Sequence, residues 1–382
     1  MAKKRIILLG ATGSIGRQAL EVVREFPDRF DLVGLASNRD ASGLRAAASA
    51  FPGAGLALSG IPAGEAPAGM PSGCLFGPSA ILDLLGSVPA DLVINGIAGS
   101  AGLAPSLAAL ERGMDLALAN KESVVMGYGL LEVAAVKAGR SIIPVDSEHA
   151  ALFHLLRGYP DAVELYITAS GGAFRDRPLE SLSSARPDEA AAHPSWSMGR
   201  KISIDSATMA NKGLEVIEAS RLFHMPADRV KVLVHPQSMA HALIRTRDGA
   251  LVVNVSAPDM RLPILNALAY PETLPSSFGS LDLAGLSLEF KAPDPERYPL
   301  LGLAYAALAA GEGATVAYNA ADEVAVAAFE SGAIGYCDIA PIVETCLGRG
   351  WPTKLPSLEG IFSTDTEARA CAQAAVKEIG TR

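Results

Sequence analysis

Cysteine, tryptophan and histidine are scarce in this chain of 382 residues, at four, two and six copies. The cysteines, Cys74, Cys337, Cys346 and Cys371, form no CxxC pair, which excludes a thiolate zinc cluster and a disulfide framework. A reducing cytoplasm fits that usage. The formal net charge is -9, so the chain carries no basic footprint for nucleic acid or for an anionic membrane surface. Any cation that grips an anionic ligand must therefore be placed locally. Long hydrophobic runs are also missing, and the longest, around Leu300 to Ala310, falls short of the ~20 residues that span a bilayer. The start, MAKKRIILLGATG, is basic and then apolar, but a glycine turn follows at once. It reads as a first strand rather than a signal.

What is present is a globular composition, 49% apolar and 19% charged. At ~150 residues per domain, the length implies two or three domains. RIILL (5–9), FDLVGLAS (30–37), DLVINGIAG (91–99), MDLALAN (114–120) and RSIIPVD (140–146) are short apolar strands with helical spacing between them, the grammar of a doubly wound parallel sheet. The Gly/Pro-rich stretch 52–78 reads as irregular connection. After Asp146 the pattern changes. ELYITAS, RVKVLVH, HALIRTRDG and ALVVNVSAP look like longer strands, with Asp248-Gly249 as a hairpin signal, so an α+β part with an antiparallel sheet is expected. Beyond the proline-rich APDPERYP (292–299), alanine-rich helical patterns run to the end.

In LLGATGSIGRQAL, glycines 10, 13 and 16 stand where a strand turns into a helix. A dinucleotide fold needs such glycines for the tight turn and for the approach of a pyrophosphate to the helix N-terminus; a purely structural turn is the alternative. NAD binders carry an acidic residue at the end of the second strand, whereas this chain has Ser37-Asn38-Arg39. An arginine there suits the 2′-phosphate of NADP.

Further polar clusters follow. Asn120, Lys121, Glu122 and Ser123 end a strand at the carboxyl edge of the sheet, where ligands bind. In ISIDSATMANKGLEVIEA, Asp205 or Ser206 reads as a helix N-cap, with Asn211 and Glu215 on one helical face and Lys212 beside them. Such a set suits a phosphate, though a capped, solvated helix has the same pattern. ITASGGAF places Ser170 before two glycines, another turn with open N–H groups. In HPSWSMGRK, Trp196 and Met198 sit in a polar loop, as in a lid or in a loop packed on its own domain. In IPVDSEHAALF, Asp146 and Glu148 could be a helix cap, an acid/base pair or two arms of a metal site.

GATGSIG, LANKES, PVDSEH, SGGAF, HPSWSMGRKISIDSATMANKGLE and VHPQS, in this order, closely resemble the 1-deoxy-D-xylulose 5-phosphate reductoisomerase family over nearly the whole chain. The resemblance implies an α/β protein with an N-terminal Rossmann-like parallel-sheet NADPH domain (1–147) and a central α+β catalytic, metal and dimerisation domain (148–291) with a flap at 184–201. A linker (292–303) and a C-terminal α-helical domain (304–382) complete it. Thr12, Gly13, Ser14 and Ile15 then hold the cofactor phosphates, with Asn38 and Arg39 at the adenosine end, and Ala36, Asn120, Glu122 and Gly199 complete the cofactor set. Ser170, Ser206, Asn211 and Lys212 match the family's substrate-phosphate site, Lys121 and Ser147 its polyol contacts, and His193, Trp196 and Met198 its flap. Asp146, Glu148 and Glu215 match its single magnesium or manganese site, and Glu148 and Glu215 count among the substrate contacts as well. Lys121, Glu148 and His149 are the candidate catalytic groups. His235 is either close to the substrate or structural, and His154 and His224 are left to packing.

Two carboxylates crowded without a cation repel, and a third oxygen donor from another element suits magnesium or manganese better than zinc. The metal reading of the Asp146–Glu148 pair is therefore preferred. The implied reaction is the NADPH- and metal-dependent isomerisation and reduction of 1-deoxy-D-xylulose 5-phosphate to 2-C-methyl-D-erythritol 4-phosphate in isoprenoid precursor biosynthesis. The implied partner is a small phosphorylated sugar, with neither nucleic acid nor membrane, on a homodimeric protein. Extended short-chain dehydrogenases need a Tyr-x-x-x-Lys pair, and none of the eight tyrosines has a lysine four residues on. Phosphorylating semialdehyde dehydrogenases need a cysteine nucleophile, and no cysteine here lies in a polar loop beside a suitable histidine. A catalytically silent NADP-binding regulatory protein is the remaining alternative.

Overall fold

The computed structural model describes residues 2–192 and 199–380. Two compact units form within those residues. The first runs up to Ser123 and takes in Gly129–Ala150 and Asp259–Gly279; the second holds Val124–Tyr128, Ala151–Pro258 and the chain from Ser280 on.

The first unit is a parallel sheet of seven strands. β1 (Lys4–Leu9), β2 (Phe30–Ser37), β3 (Gly55–Leu58), β4 (Leu75–Phe76), β5 (Leu92–Asn95), β6 (Asp115–Leu118) and β7 (Ile142–Pro144) lie in the order β4-β3-β2-β1-β5-β6-β7. Between them run α1 (Ser14–Glu25), α2 (Ala41–Ala48), α3 (Ala80–Ser87), α4 (Leu103–Glu111) and α5 (Lys121–Ala138). The strands are apolar on both faces because helices cover both; Ile6 to Leu9 are fully buried. The chain order reverses between β1 and β5, the switch point at which such sheets bind ligands beyond the strand ends. The stretch 52–78, expected to be irregular, contributes β3 and β4, which continue the parallel pairing from β2. These strands are too short to leave a periodic signal.

α6 (Ser147–Gly158) begins in the first unit and passes into the second at Ala151. The second unit has a sheet of β8 (Glu164–Ala169), β9 (Val230–Val234), β10 (Ala240–Arg245) and β11 (Leu251–Val255), ordered β11-β10-β8-β9. β10 and β11 form the hairpin that Asp248-Gly249 predicts, but β8 and β9 pair in parallel, so the sheet is mixed and not antiparallel as expected. The reason is the connection. α7 (Pro187–Ala190), α8 (Arg200–Thr208) and α9 (Ala210–Leu222) lie between those strands, and only a long crossover can join parallel neighbours.

α10 (Arg261–Ala269) returns to the first unit and packs on α1. α11 (Pro299–Ala310), α12 (Glu312–Glu330), α13 (Ile339–Leu347) and α14 (Leu358–Gly380) complete the second unit. Their apolar faces share one core with α8 and α9, in which Ile204, Ala207, Leu214 and Ile217 meet Ala304, Tyr318 and Phe329. Among the described residues no helix is long and apolar enough to cross a membrane.

Candidate functional site

The glycine turn after β1 is built by exclusion of side chains. A Cβ on Gly10, whose φ is +80°, would lie 2.6 Å from Gly96 O, and one on Gly16 would lie 2.3 Å from Gly10 O. Both contacts are to backbone, which cannot yield. Gly13 is the N-cap of α1 and has no side chain to satisfy the first-turn N–H groups, so the turn presents open donors and the positive helix end at the switch point. Ser14 is exposed there, with Thr12 and Ile15 partly so. Thr12 Oγ1 bonds Ser37 Oγ at 2.8 Å, tying the turn to the end of β2.

At that end Asn38, Arg39 and Asp40 are exposed. Asp40 is occupied as the N-cap of α2, accepting from Gly43 N at 2.8 Å and Ser42 Oγ at 3.0 Å. The Gly43 N–H, then Ser42, hold its carboxyl below the ordinary aspartate range. Ala36 is buried, and its carbonyl accepts from Gly10 N and Ala11 N at 3.0 and 2.8 Å. It shapes the turn from beneath.

The ends of β6 and β7 carry a second polar group. Asn120 caps α5 by accepting from Ser123 N at 3.0 Å, and it donates to Gly99 O and to Glu122 Oε2 at 2.9 and 2.8 Å. Lys121, next in the chain and buried, places Nζ 2.6 Å from Asp146 Oδ2. These residues meet because β6 and β7 are neighbours in the sheet. Asp146 is the backbone cap of α6, its carbonyl accepting from Ala150 N at 2.8 Å. Ser147 Oγ donates to Glu148 Oε2 at 2.5 Å, and the fully buried His149 has Nδ1 3.9 Å from Asp146 Oδ2. A cap position and a cluster of carboxylates thus coincide.

Buried Asn95, which the sequence reading passed over, underlies this edge. Its Nδ2 donates to Gly102 O at 2.9 Å and Ser106 Oγ at 2.7 Å, and its Oδ1 accepts from Ile97 N at 3.0 Å. An asparagine closing the apolar run LVIN was the available signal.

In the second unit, Asp205 and Ser206 are not an N-cap as expected. They lie inside α8, where Ser206 Oγ donates to Ile202 O at 2.8 Å. Met209 adopts a left-handed φ of 58°, which separates α8 from α9. Asn211 and Lys212 therefore occupy the first turn of α9, and both grip Glu215: Asn211 Nδ2 donates to Oε1 and Lys212 Nζ to Oε2, each at 2.5 Å. Lys212 and Glu215 are buried.

The Ser170 turn faces this corner, because a Cβ on Gly172 would stand 2.4 Å from Ala207 Cα and 2.5 Å from Ser206 O. Ser170 Oγ accepts from Gly172 N at 3.1 Å. Arg175 Nη1 donates to Ser170 O and the Tyr298 hydroxyl to Gly171 O, both at 2.9 Å. Neither residue stood out in the sequence. Gly199 is the exposed N-cap of α8, whereas His193, Trp196 and Met198 lie outside the described residues.

His235 is structural. Its Nε2 accepts from Met239 N and Ala240 N, both at 3.1 Å, so the proton is on Nδ1, which donates to Glu289 O at 2.8 Å. A ring committed at both nitrogens has none left for a substrate. His154 and His224 are exposed rather than packed inside.

A parallel sheet with a side-chain-free glycine turn at its switch point defines a Rossmann-like α/β protein, here joined to a second unit with its own polar corner. Family profiles match the chain in three places: 1-deoxy-D-xylulose 5-phosphate reductoisomerase at 6–128, its C-terminal domain at 142–223, and the DXP reductoisomerase C-terminal domain at 255–371. The 1-deoxy-D-xylulose 5-phosphate reductoisomerase of Cupriavidus metallidurans is 44% identical over 99% of this chain and 100% of its own, and that of Treponema pallidum 43% identical over 99% of each. The enzyme of Zymomonas mobilis, solved in complex with NADPH, matches with 40% identity and a TM-score of 0.89 over 98% of this chain and 100% of its own. A DOX-P reductoisomerase solved with NADPH, fosmidomycin and magnesium matches with 37% identity and the same TM-score of 0.89 over 98% of each chain. The chain belongs to the 1-deoxy-D-xylulose 5-phosphate reductoisomerase family.

Proposed function

We propose that this protein isomerises 1-deoxy-D-xylulose 5-phosphate and reduces the product with NADPH to 2-C-methyl-D-erythritol 4-phosphate, with one divalent metal ion, magnesium or manganese. The observation that carries the reading is that Asp146 and Glu215, both largely buried, each hold a lysine ammonium on a carboxylate oxygen, at 2.6 and 2.5 Å. Such carboxylates keep a cation at hand.

The donor set fits the metal. Asp146, Glu148 and Glu215 would hold it through hard oxygens and leave positions open for substrate. When bound, the ion supplies Lewis-acid polarisation of the substrate's ketone and neighbouring hydroxyl oxygens. NADPH fits the glycine turn, whose open N–H groups suit a pyrophosphate, and Arg39 beside the occupied Asp40 suits a 2′-phosphate. Thr12, Gly13, Ser14 and Ile15 are the phosphate contacts, with Ala36, Asn38, Asn120, Glu122 and Gly199 completing the cofactor set.

Ser170, Ser206, Asn211 and Lys212 bind the substrate phosphate, which converts binding into orientation of the far end. Ser147 and Lys121 contact the polyol, and Lys121 and Glu148 hold the protons exchanged with substrate oxygens. His149 orients Asp146. The flap, 184–201 with His193, Trp196 and Met198, excludes water on closing. When bound, NADPH would supply the hydride that reduces the aldehyde carbon of the rearranged sugar, with Lys121 or Glu148 supplying the proton that its oxygen takes.

The three-part scheme of 1–147, 148–291 and 304–382 about a linker at 292–303 describes how these roles divide along the chain. Homodimerisation is part of the reading. The edge strand β11 exposes Leu251 at 53% and Val253 at 39%, an apolar edge of the kind that a second copy covers. The scarcity of cysteine supports a cytoplasmic setting. The test is NADPH oxidation by the purified protein with 1-deoxy-D-xylulose 5-phosphate, with and without magnesium or manganese. Metal-dependent turnover is expected; NADPH binding without turnover would make the chain a silent NADP-binding regulator instead.

A further inference from the structure

Helix α5 contains a break that the reaction scheme leaves unexplained. Within Lys121–Ala138, Gly127 has φ -140° and ψ 25°, outside the helical range. In an unbroken helix the carbonyls of Val124 and Val125 accept N–H groups four residues on, across that glycine. Here a side chain from α9 reaches them as well. Arg221 donates through Nη1 to Val124 O at 2.8 Å and to Val125 O at 2.5 Å. Its Nη2 donates to Thr315 Oγ1 at 2.8 Å, and that hydroxyl reaches Val125 O at 2.9 Å. All of these residues belong to the second unit.

The partners of this guanidinium are carbonyls and a hydroxyl, not a carboxylate. Dense packing around it lowers its pKa to about 10, with Glu312 acting in the opposite sense, so the group is charged at neutral pH. A packed charge that lacks a close counter-ion is a poor way to gain stability. It is a good way to fix direction, because the planar fork reaches two carbonyls at once. One turn upstream stands Lys121, and the same turn is held at its other end by the Asn120 cap on Ser123 N.

We propose that Arg221 is a positioning residue for Lys121. By holding the carbonyls of Val124 and Val125 at the break, it sets the direction of the first turn of α5 and with it the lysine that meets Asp146. The inference rests on the role given to Lys121 above.

The test uses the full chain with magnesium, NADPH and 1-deoxy-D-xylulose 5-phosphate. Single-turnover NADPH oxidation at high enzyme concentration keeps slow variants measurable. Arg221→Met is expected to lower the rate by about 10- to 100-fold while the substrate KM and the NADPH Kd move less than about threefold, because a misdirected group loses rate before it loses binding. Arg221→Lys, which keeps the charge without the fork, and Thr315→Val are expected to lose less. The decisive measurement adds Arg221→Met to Lys121→Met, where the further loss should shrink below about twofold, as for residues acting through one another. An equal loss in both backgrounds would overturn the proposal. Full activity of Lys121→Met alone would remove the role of Lys121 and the inference with it, a result distinct from the first. If Arg221→Met fails to fold by thermal unfolding, Arg221→Lys and Thr315→Val carry the same cross with the same two readings.

Discussion

The glycine turn after β1 and the corner where α8 meets α9 are both read here as phosphate sites, yet they are made of opposite materials. The first is backbone. Gly10 and Gly16 have no room for a Cβ, and Gly13 caps α1 without a side chain. The second is side chains, with Lys212 and Asn211 each anchored on Glu215. A backbone site is marked in a sequence by where side chains cannot be. A side-chain site has the residue pattern of any capped, solvated helix until its surroundings are known.

The comparison breaks first at Glu215, which is assigned to the metal and also orients the phosphate-side residues. Glu215→Gln keeps the shape but removes the charge that Lys212 meets at 2.5 Å. Turnover is expected to fall by about a thousandfold, the loss of several kcal/mol of transition-state stabilisation. The NADPH Kd should stay within about twofold, measured by fluorescence titration, since Glu215 is not among the residues proposed to hold the cofactor. An equal loss of cofactor affinity would show that the two regions do not divide the work in this way.

Next comes Lys212. Its ammonium is read as a direct partner of the substrate phosphate, and a hydrogen bond to a charged group is worth about 1.5–3 kcal/mol. Lys212→Met should therefore raise the substrate KM by about 10- to 100-fold with little change for NADPH. Steady-state kinetics on both substrates would check it. A fall in kcat at constant KM would instead make Lys212 a support for Glu215.

The contrast also explains what the sequence could disclose. β2 spans the same residues, 30–37, as its apolar run because the strand is long, buried and bounded by polar residues. The strands within 52–78 have no such mark, since four and two residues leave no pattern, and β3 exists by pairing onto β2 and β4 by pairing onto β3. The pattern around Ser206 marks a helix start, whereas α8 already begins at Arg200. Met209 supplies the break in a left-handed conformation that a methionine seldom adopts, so nothing in its identity announces it. Asn211 and Glu215 are legible as one face, with Lys212 beside them, because i,i+4 spacing is local. The packing of α10 on α1, and the reach of Arg221 to Val124, are long-range contacts with no local mark.

A smaller effect sharpens the backbone side of the comparison. Arg39 is exposed beside a carboxylate already engaged as a helix cap. Arg39→Ala is expected to lower the preference for NADPH over NADH by about tenfold, the scale of one exposed charge-assisted contact. The ratio of kcat/KM values for the two cofactors measures it. An unchanged ratio would move the 2′-phosphate contact to another residue.

The smallest effect is the one that separates Arg39 from its neighbour. Asp40 could hold a ribose hydroxyl, as an acidic residue at this strand end does in NAD enzymes, but here its carboxylate accepts from Gly43 N at 2.8 Å. Asp40→Ala should therefore lower stability by about 1 kcal/mol, the worth of an N-cap, and leave the NADPH to NADH ratio unchanged. The cap bonds depress the folded-state pKa below the ordinary value of 3.8, so the carboxylate's contribution is complete above that value and is lost as the pH falls through the folded pKa. Urea unfolding should accordingly find the parent and the variant furthest apart near neutral pH and converging below 3.8. A fall in NADH use by the variant, with no change in stability, would return Asp40 to the ribose and leave the α2 terminus to be held by something else.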